Sequence, residues 1–284
     1  MTVGLGPVRW RLPVARTYTT TVAAERPLNH PTVLESALRH ERAVLAAVLI
    51  LIPFICWSWI VLMARDMYGT MLGPSAWMMT PVWDWPHVLL LWAMWAVMMA
   101  AMMLPSAAPV VLLYAGAARR AEGGRVAAQV YLLAAGYLAV WAVFSLGATA
   151  LQRVLAEQLV LTPMMEPSSP AAGAVILVIA GLYQLTPLKR VCLRSCRSPL
   201  TFLMQRWRSG RVGAFRLGMD HGAYCVGCCW ALMLVLFAGG VMNLTVIVAL
   251  TVWVIVEKIA PFGEQSAHVG GALLLAVAAW LVWW

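Results

Sequence analysis

Long uncharged apolar runs recur along nearly the whole chain, and such runs leave very few folds open. About 20 consecutive apolar residues are needed for a helix to cross a bilayer, where each backbone N–H and C=O must find its partner inside the segment. Seven such runs stand out, at about 43–63, 87–114, 126–151, 171–185, 221–238, 243–259 and 269–284. Hydrophobic residues make up 63% of the 284 positions and charged residues only 11%, so no stretch remains for a sizeable soluble domain. The expected fold is all-α: a polytopic membrane helix bundle of about seven transmembrane helices over 43–284, after a basic tail over 1–42.

Arginine and lysine predict the orientation, because cytoplasmic loops carry the excess of both. Arg9, Arg11, Arg16, Arg26, Arg39 and Arg42 precede the first run, and Arg119, Arg120 and Arg125 follow the second. Eight more lie between Lys189 and Arg216, and Lys258 ends the sixth run; of the 20 basic residues only Arg65 and Arg153 fall on the other side. The bias predicts an N-in, C-out chain. It also accounts for the net charge of +9 by topology and the anionic leaflet, without nucleic acid as a partner. The tail has no apolar run, so the first span is expected to serve as the insertion signal; residues 33–42 are expected as a short cytosolic helix and 1–30 as a segment that is either disordered or lies on the membrane surface.

Five of the six cysteines fall at the predicted cytoplasmic side, where disulfides are disfavoured and neighbouring thiols point to metal binding or thiol chemistry. Cys56 stands apart in the first run and reads as a small buried apolar residue. The segment from Asp220 through His221, Cys225, Cys228 and Cys229 to Trp230 is the richest in ligand types. At 100° per residue, Cys225 lies about 40° from His221 and Cys228 about 20° the other way, so the three share a stripe with Cys229 at its flank. A helix starting at Asp220 as N-cap would place its positive dipole end beside these thiols. Gly222 and Gly227 would let another helix approach closely. Cys192 and Cys196, spaced i, i+4, would face one way if that loop is helical. The plainer alternative is that these residues simply pack helices.

Methionine is the second unusual feature. Met94, Met98 and Met102 follow i, i+4, i+8, with Met99 and Met103 in a parallel row, and this thioether ladder leads toward the cysteines. Met commonly fills gaps in packed cores, so packing is the competing explanation. Thioether, thiolate and imidazole together suit Cu(I), whereas zinc would want a closed four-ligand set with little Met. The expected metal ligands are therefore His221, Cys225, Cys228 and Cys229, with Met98, Met102, Cys192 and Cys196. Asp220 and Glu257 are expected to support them, Glu257 as partner to His221 or counter-charge to a cation, with a solvated Glu257–Lys258 pair as the alternative. Asp84 and His87 read as interface residues, and Pro105 and Pro109 as kinks.

The blocks around Trp95–Ser106, Gly181–Lys189 with Cys192 and Cys196, His221–Trp230, Gly240–Asn243 and Glu257–Lys258 together resemble the DUF2182 family of bacterial membrane proteins. The resemblance covers about residues 85–261 and implies a metal-binding integral membrane protein of the bacterial inner (cytoplasmic) membrane. The leading expectation is a protein that handles Cu(I) by transport, trafficking or insertion, with the bilayer and the ion as partners. The alternatives are an accessory or assembly subunit docked on a larger membrane protein complex, or a membrane thiol oxidoreductase. No catalytic triad, phosphate-binding glycine loop or paired carboxylates nominate a catalytic residue.

Overall fold

The computed structural model describes residues 33–69, 71, 74–80, 82–122 and 126–283, so the expectation for 1–30 lies outside the described residues. By its contacts the chain divides into Met1–His40 and Glu41–Trp284, and the packing below is that of the second unit. Among the described residues the regular structure is helical throughout: α1 (Val33–Met67), α2 (Pro74–Met78), α3 (Trp85–Glu122), α4 (Ala127–Glu157), α5 (Pro170–Gln184), α6 (Pro187–Arg197), α7 (Pro199–Arg206), α8 (Gly210–Gly239), α9 (Leu244–Ile259) and α10 (Gly263–Trp283). The stretch 33–42 is helical, as part of α1.

Five helical stretches are long and apolar enough to cross a membrane: Ala47–Met67, Trp85–Ala121, Ala127–Glu157, Gly210–Gly239 and Gly263–Trp283. α5 and α9, with 15 and 16 residues, fall short of the usual span, and α5 continues into α6 through a bend of 65°. That bend is built by local chemistry. Thr186 caps α6 by accepting a hydrogen bond from Lys189 N at 3.2 Å, and Pro187 occupies the first turn, where its missing N–H costs nothing. Ser169 with Pro170 opens α5 in the same way.

The closest packing joins α4 to α8. A Cβ on Gly136 would stand 2.1 Å from Phe215 O, and one on Gly218 would stand 2.0 Å from Leu133 O. Backbone touches backbone at both points, which is how membrane helices associate without a hydrophobic drive between them. Gly222 likewise admits Val140, and Gly227 admits Cys192, whose Sγ would be 2.8 Å from an added Cβ.

The same contact corrects the expected start of α8. The helix begins at Gly210 after Ser209, so Asp220 lies well inside it and caps nothing. Residues 210–220 are too polar to read as part of a span, with Arg211 and Arg216 among them, yet Gly213, Ala214, Leu217 and Gly218 are buried. Tertiary packing extends the helix beyond its apolar run. Cys225 is therefore half-way along α8, where the dipole of the first turn no longer acts.

Two ends of the unit can be told apart. At one, Arg197 of α6 donates to the carbonyls of Glu257, Ala260 and Pro261 at the α9–α10 turn, and Arg194 pairs with Glu264 at 2.7 Å. At the other, Tyr68 after α1 donates to Glu166 at 3.0 Å, and Val241 N at the α8–α9 turn donates to Met165 O at 3.2 Å. The 158–169 loop at this second end holds Leu159 at φ 57° and Met165 at φ 59°. Left-handed backbone costs a non-glycine residue about 1–3 kcal/mol, so the surrounding loop must hold both residues in place.

Candidate metal centre

Four thiols from two helices meet inside the bundle. α8 contributes Cys225, Cys228 and Cys229, which are at most 1% exposed, and α6 contributes Cys196. Cys228 Sγ lies 3.3 Å from Cys229 Sγ and 3.8 Å from Cys196 Sγ, and Cys228 also bonds the Cys225 carbonyl at 3.2 Å. Cys225 stands one helical turn before Cys228 and Cys229 on α8 and is joined to Cys228 through its carbonyl. All six cysteines of the chain are free thiols. Among the described residues, no three His, Cys, Asp or Glu side chains stand ready-arranged around one point as a metal site.

A third helix supplies the charge. Lys258, near the end of α9, places its ammonium 2.9 Å from Cys225 Sγ and 2.9 Å from Ser106 Oγ of α3. The expected alternative of a solvated Glu257–Lys258 pair is thus overturned: Glu257 is fully buried and Lys258 nearly so. The two point apart because consecutive helical residues face about 100° from each other. Glu257 receives Lys189 Nζ at 2.6 Å, Gln184 Nε2 at 2.8 Å and Trp253 Nε1 at 2.8 Å. Its partner is Lys189, and Lys258 is left facing the thiols.

Tyr137 of α4 closes the fourth side. Its hydroxyl is 3.0 Å from Cys225 Sγ and donates to Met103 O at 3.0 Å. His221 stacks on the same ring, with centroids 5.6 Å apart, and meets Phe202 at a tilt of 59° and 5.2 Å. The imidazole forms no hydrogen bond to a thiol, and its Nδ1 is buried without a partner among the described residues. Such an orphaned nitrogen is rare in native interiors and asks for an explanation. Asp220, one residue earlier, faces Arg206 at 3.6 Å and Arg208 at 3.4 Å, where it ties α8 to the segment before it.

Of the residues nominated from sequence, Cys196, Cys225, Cys228 and Cys229 come together. Cys192 sits half-buried at their flank against Gly227. Met98 and Met102 are fully buried on α3, whose Met103 carbonyl and Ser106 hydroxyl reach the group through Tyr137 and Lys258. Sequence reasoning missed Tyr137, Ser106 and the inward turn of Lys258. A lysine ending an apolar run was a usable signal for the last; a tyrosine in a long span gave none.

Fold and centre together define a class: an α-helical, membrane-type protein that encloses a reduced thiol group beside a buried lysine. Residues 92–281 match the PpoB2 family, described as a copper chaperone, and the chain belongs to that family. The match takes in all the blocks on which the DUF2182 resemblance rested. No curated protein and no solved structure matches the chain.

Proposed function

We propose that this protein is a membrane copper chaperone that holds Cu(I) on the buried thiols of Cys225, Cys228, Cys229 and Cys196. The observation that carries this reading is the gathering of four reduced sulfurs from two helices against the ammonium of Lys258. Soft thiolates select Cu(I), and small rotations of sulfurs already 3.3–3.8 Å apart are enough to turn them toward one ion. Cu(I) on two thiolates carries a net negative charge, which a dry interior tolerates only with a neighbouring cation. Lys258 supplies that cation. The unpartnered Nδ1 of His221 and the thiol of Cys192 are the reserve donors, and Met98 and Met102 are weak, exchangeable stations along α3. Glu257 acts at one remove, holding Lys189 and thereby α6 with its Cys196. Asp220 anchors the segment before the cysteines.

The membrane arrangement belongs to the same proposal: seven passes, with α5 and α9 as short ones, N-in and C-out in a bacterial inner membrane. The thiols then lie toward the cytoplasmic half and copper moves inward along α3 to reach them. Four thiols could also close a tetrahedral zinc shell, and it is the copper chaperone family that favours Cu(I) over zinc here.

Loading the anaerobically purified full chain with Cu(I) and recording its X-ray absorption tests the reading. A first shell dominated by sulfur is expected. Lys258→Met should retain the fold and weaken Cu(I) binding by about 10–100-fold, the usual cost of losing a group that supports a ligand. A shell of nitrogen and oxygen, or undiminished affinity in Lys258→Met, would overturn it.

A further inference from the structure

We propose a second soft-metal site at the opposite end of the bundle, in which His87 and the thioethers of Met78, Met79 and Met165 take up Cu(I). These side chains line a cavity of about 360 Å³ between α2, the start of α3, the end of α4 and the loop that follows it. His87, expected from sequence to sit at the interface, is only 4% exposed. Its Nδ1 is 2.9 Å from Thr80 Oγ1, and Trp83 stands edge-on to the ring at 5.2 Å. The second nitrogen, Nε2, has no partner among the described residues. One nitrogen fixed by a hydroxyl and the other free is the arrangement of a ligating histidine, whose tautomer is set by the bond at the far side of the ring.

The methionines add the softness. Met78 and Met165, each 3% exposed, belong to the hydrophobic core and also border the cavity, so their thioethers reach an open volume as well as packed neighbours. Met165 is also one of the two residues held in left-handed backbone in the loop. Strain of that kind persists where the surrounding structure dictates a side chain's position, here at the cavity wall. Three thioethers and one imidazole form a neutral, soft donor set that favours Cu(I) over harder divalent ions. Asp84 accepts from His87 N at 3.0 Å at the start of α3, and Glu157, paired with Arg153 at 2.8 Å, brings a carboxylate to the cavity wall.

This site is separate from the thiols. His87 and Met103 stand sixteen positions apart on α3, about 24 Å along the helix. The intervening stripe reads Leu91, Met94, Met98, Met102 and Ser106, all buried, with Leu91 lining the cavity and Ser106 bonded to Lys258. A service as the entry point for copper rests on the chaperone reading above; the binding site itself does not.

Cu(I) titration of the full chain in lipid nanodiscs against a chromophoric competitor tests it. Wild type should bind a tight, thiol-dependent equivalent and a weaker one. His87→Ala/Met165→Leu should lose the weaker equivalent and keep the tight one, and Cys225→Ser/Cys228→Ser should do the reverse. Unchanged binding in the His87 variant overturns the second site; a missing tight equivalent with the weaker one intact overturns only the thiol reading. As a check that survives misfolding of either variant, selenomethionine wild type loaded beyond one equivalent should show a copper–selenium contact. The number of selenium neighbours per copper should fall in the volume-conserving Met78→Leu/Met79→Leu/Met165→Leu protein, where only the stations on α3 remain, and an unchanged number there would overturn the proposal.

Discussion

Cys225→Ser/Cys228→Ser is expected to purify with the wild-type helical content and to lose the tight Cu(I) equivalent, with affinity falling by more than about 100-fold. That bound follows because removing a direct ligand must cost more than removing a supporting one, for which about 10–100-fold is usual. Serine keeps the volume and one hydrogen-bonding proton, so the helix contacts around Gly218 and Gly222 stay intact. It substitutes a hard, neutral oxygen for a soft, ionisable sulfur, and the charge that Lys258 would balance disappears with it. Metal analysis of anaerobically purified protein reads the outcome. Equal copper in the variant and wild type would remove the thiols from the function.

How much of this was legible beforehand differs from element to element. The long apolar helices α3, α4 and α8 could be read directly, since a bilayer demands long uninterrupted apolar segments. The stacking of Cys225 and Cys228 on one stripe of α8 was likewise a matter of helical arithmetic, and both are buried beside Cys196. The start of α8 could not be read, because residues 210–220 are helical through contacts with α4 that no local hydropathy encodes. The dipole argument for Asp220 failed with it, and the positive charge near the thiols comes from Lys258 on another helix. The partner of Glu257 was hidden for the same reason: Lys189 is 68 positions away and sits in a stretch that reads as a basic loop. Pairings across helices depend on which faces meet, and composition is silent about that.

The Glu257–Lys189 pair carries the largest expected effect on folding. Both side chains are 1% exposed and 2.6 Å apart, so each charge exists in the interior only because of the other. Glu257→Ala would leave the Lys189 ammonium without a counter-charge and free Gln184 and Trp253 of their shared acceptor. Breaking a buried pair from one side costs about 3–5 kcal/mol, a loss that chemical unfolding in detergent will show as a midpoint shifted far below that of wild type. Removing both charges is different: Lys189→Met/Glu257→Gln takes away the pair yet keeps an amide oxygen to accept from Gln184 and Trp253, and should recover most of the stability, as neutral replacements of buried pairs often do. Recovery of stability need not restore the copper site. Lys189 is the residue through which α6 is clamped to α9, and Cys196 is carried seven residues further along α6, so a loosened α6 would bring Cys196 less firmly to Cys228. The double variant should therefore be stable and bind Cu(I) more weakly than wild type. A single variant as stable as wild type would mean that Lys189 finds another partner and that the pair does not hold α6 in place.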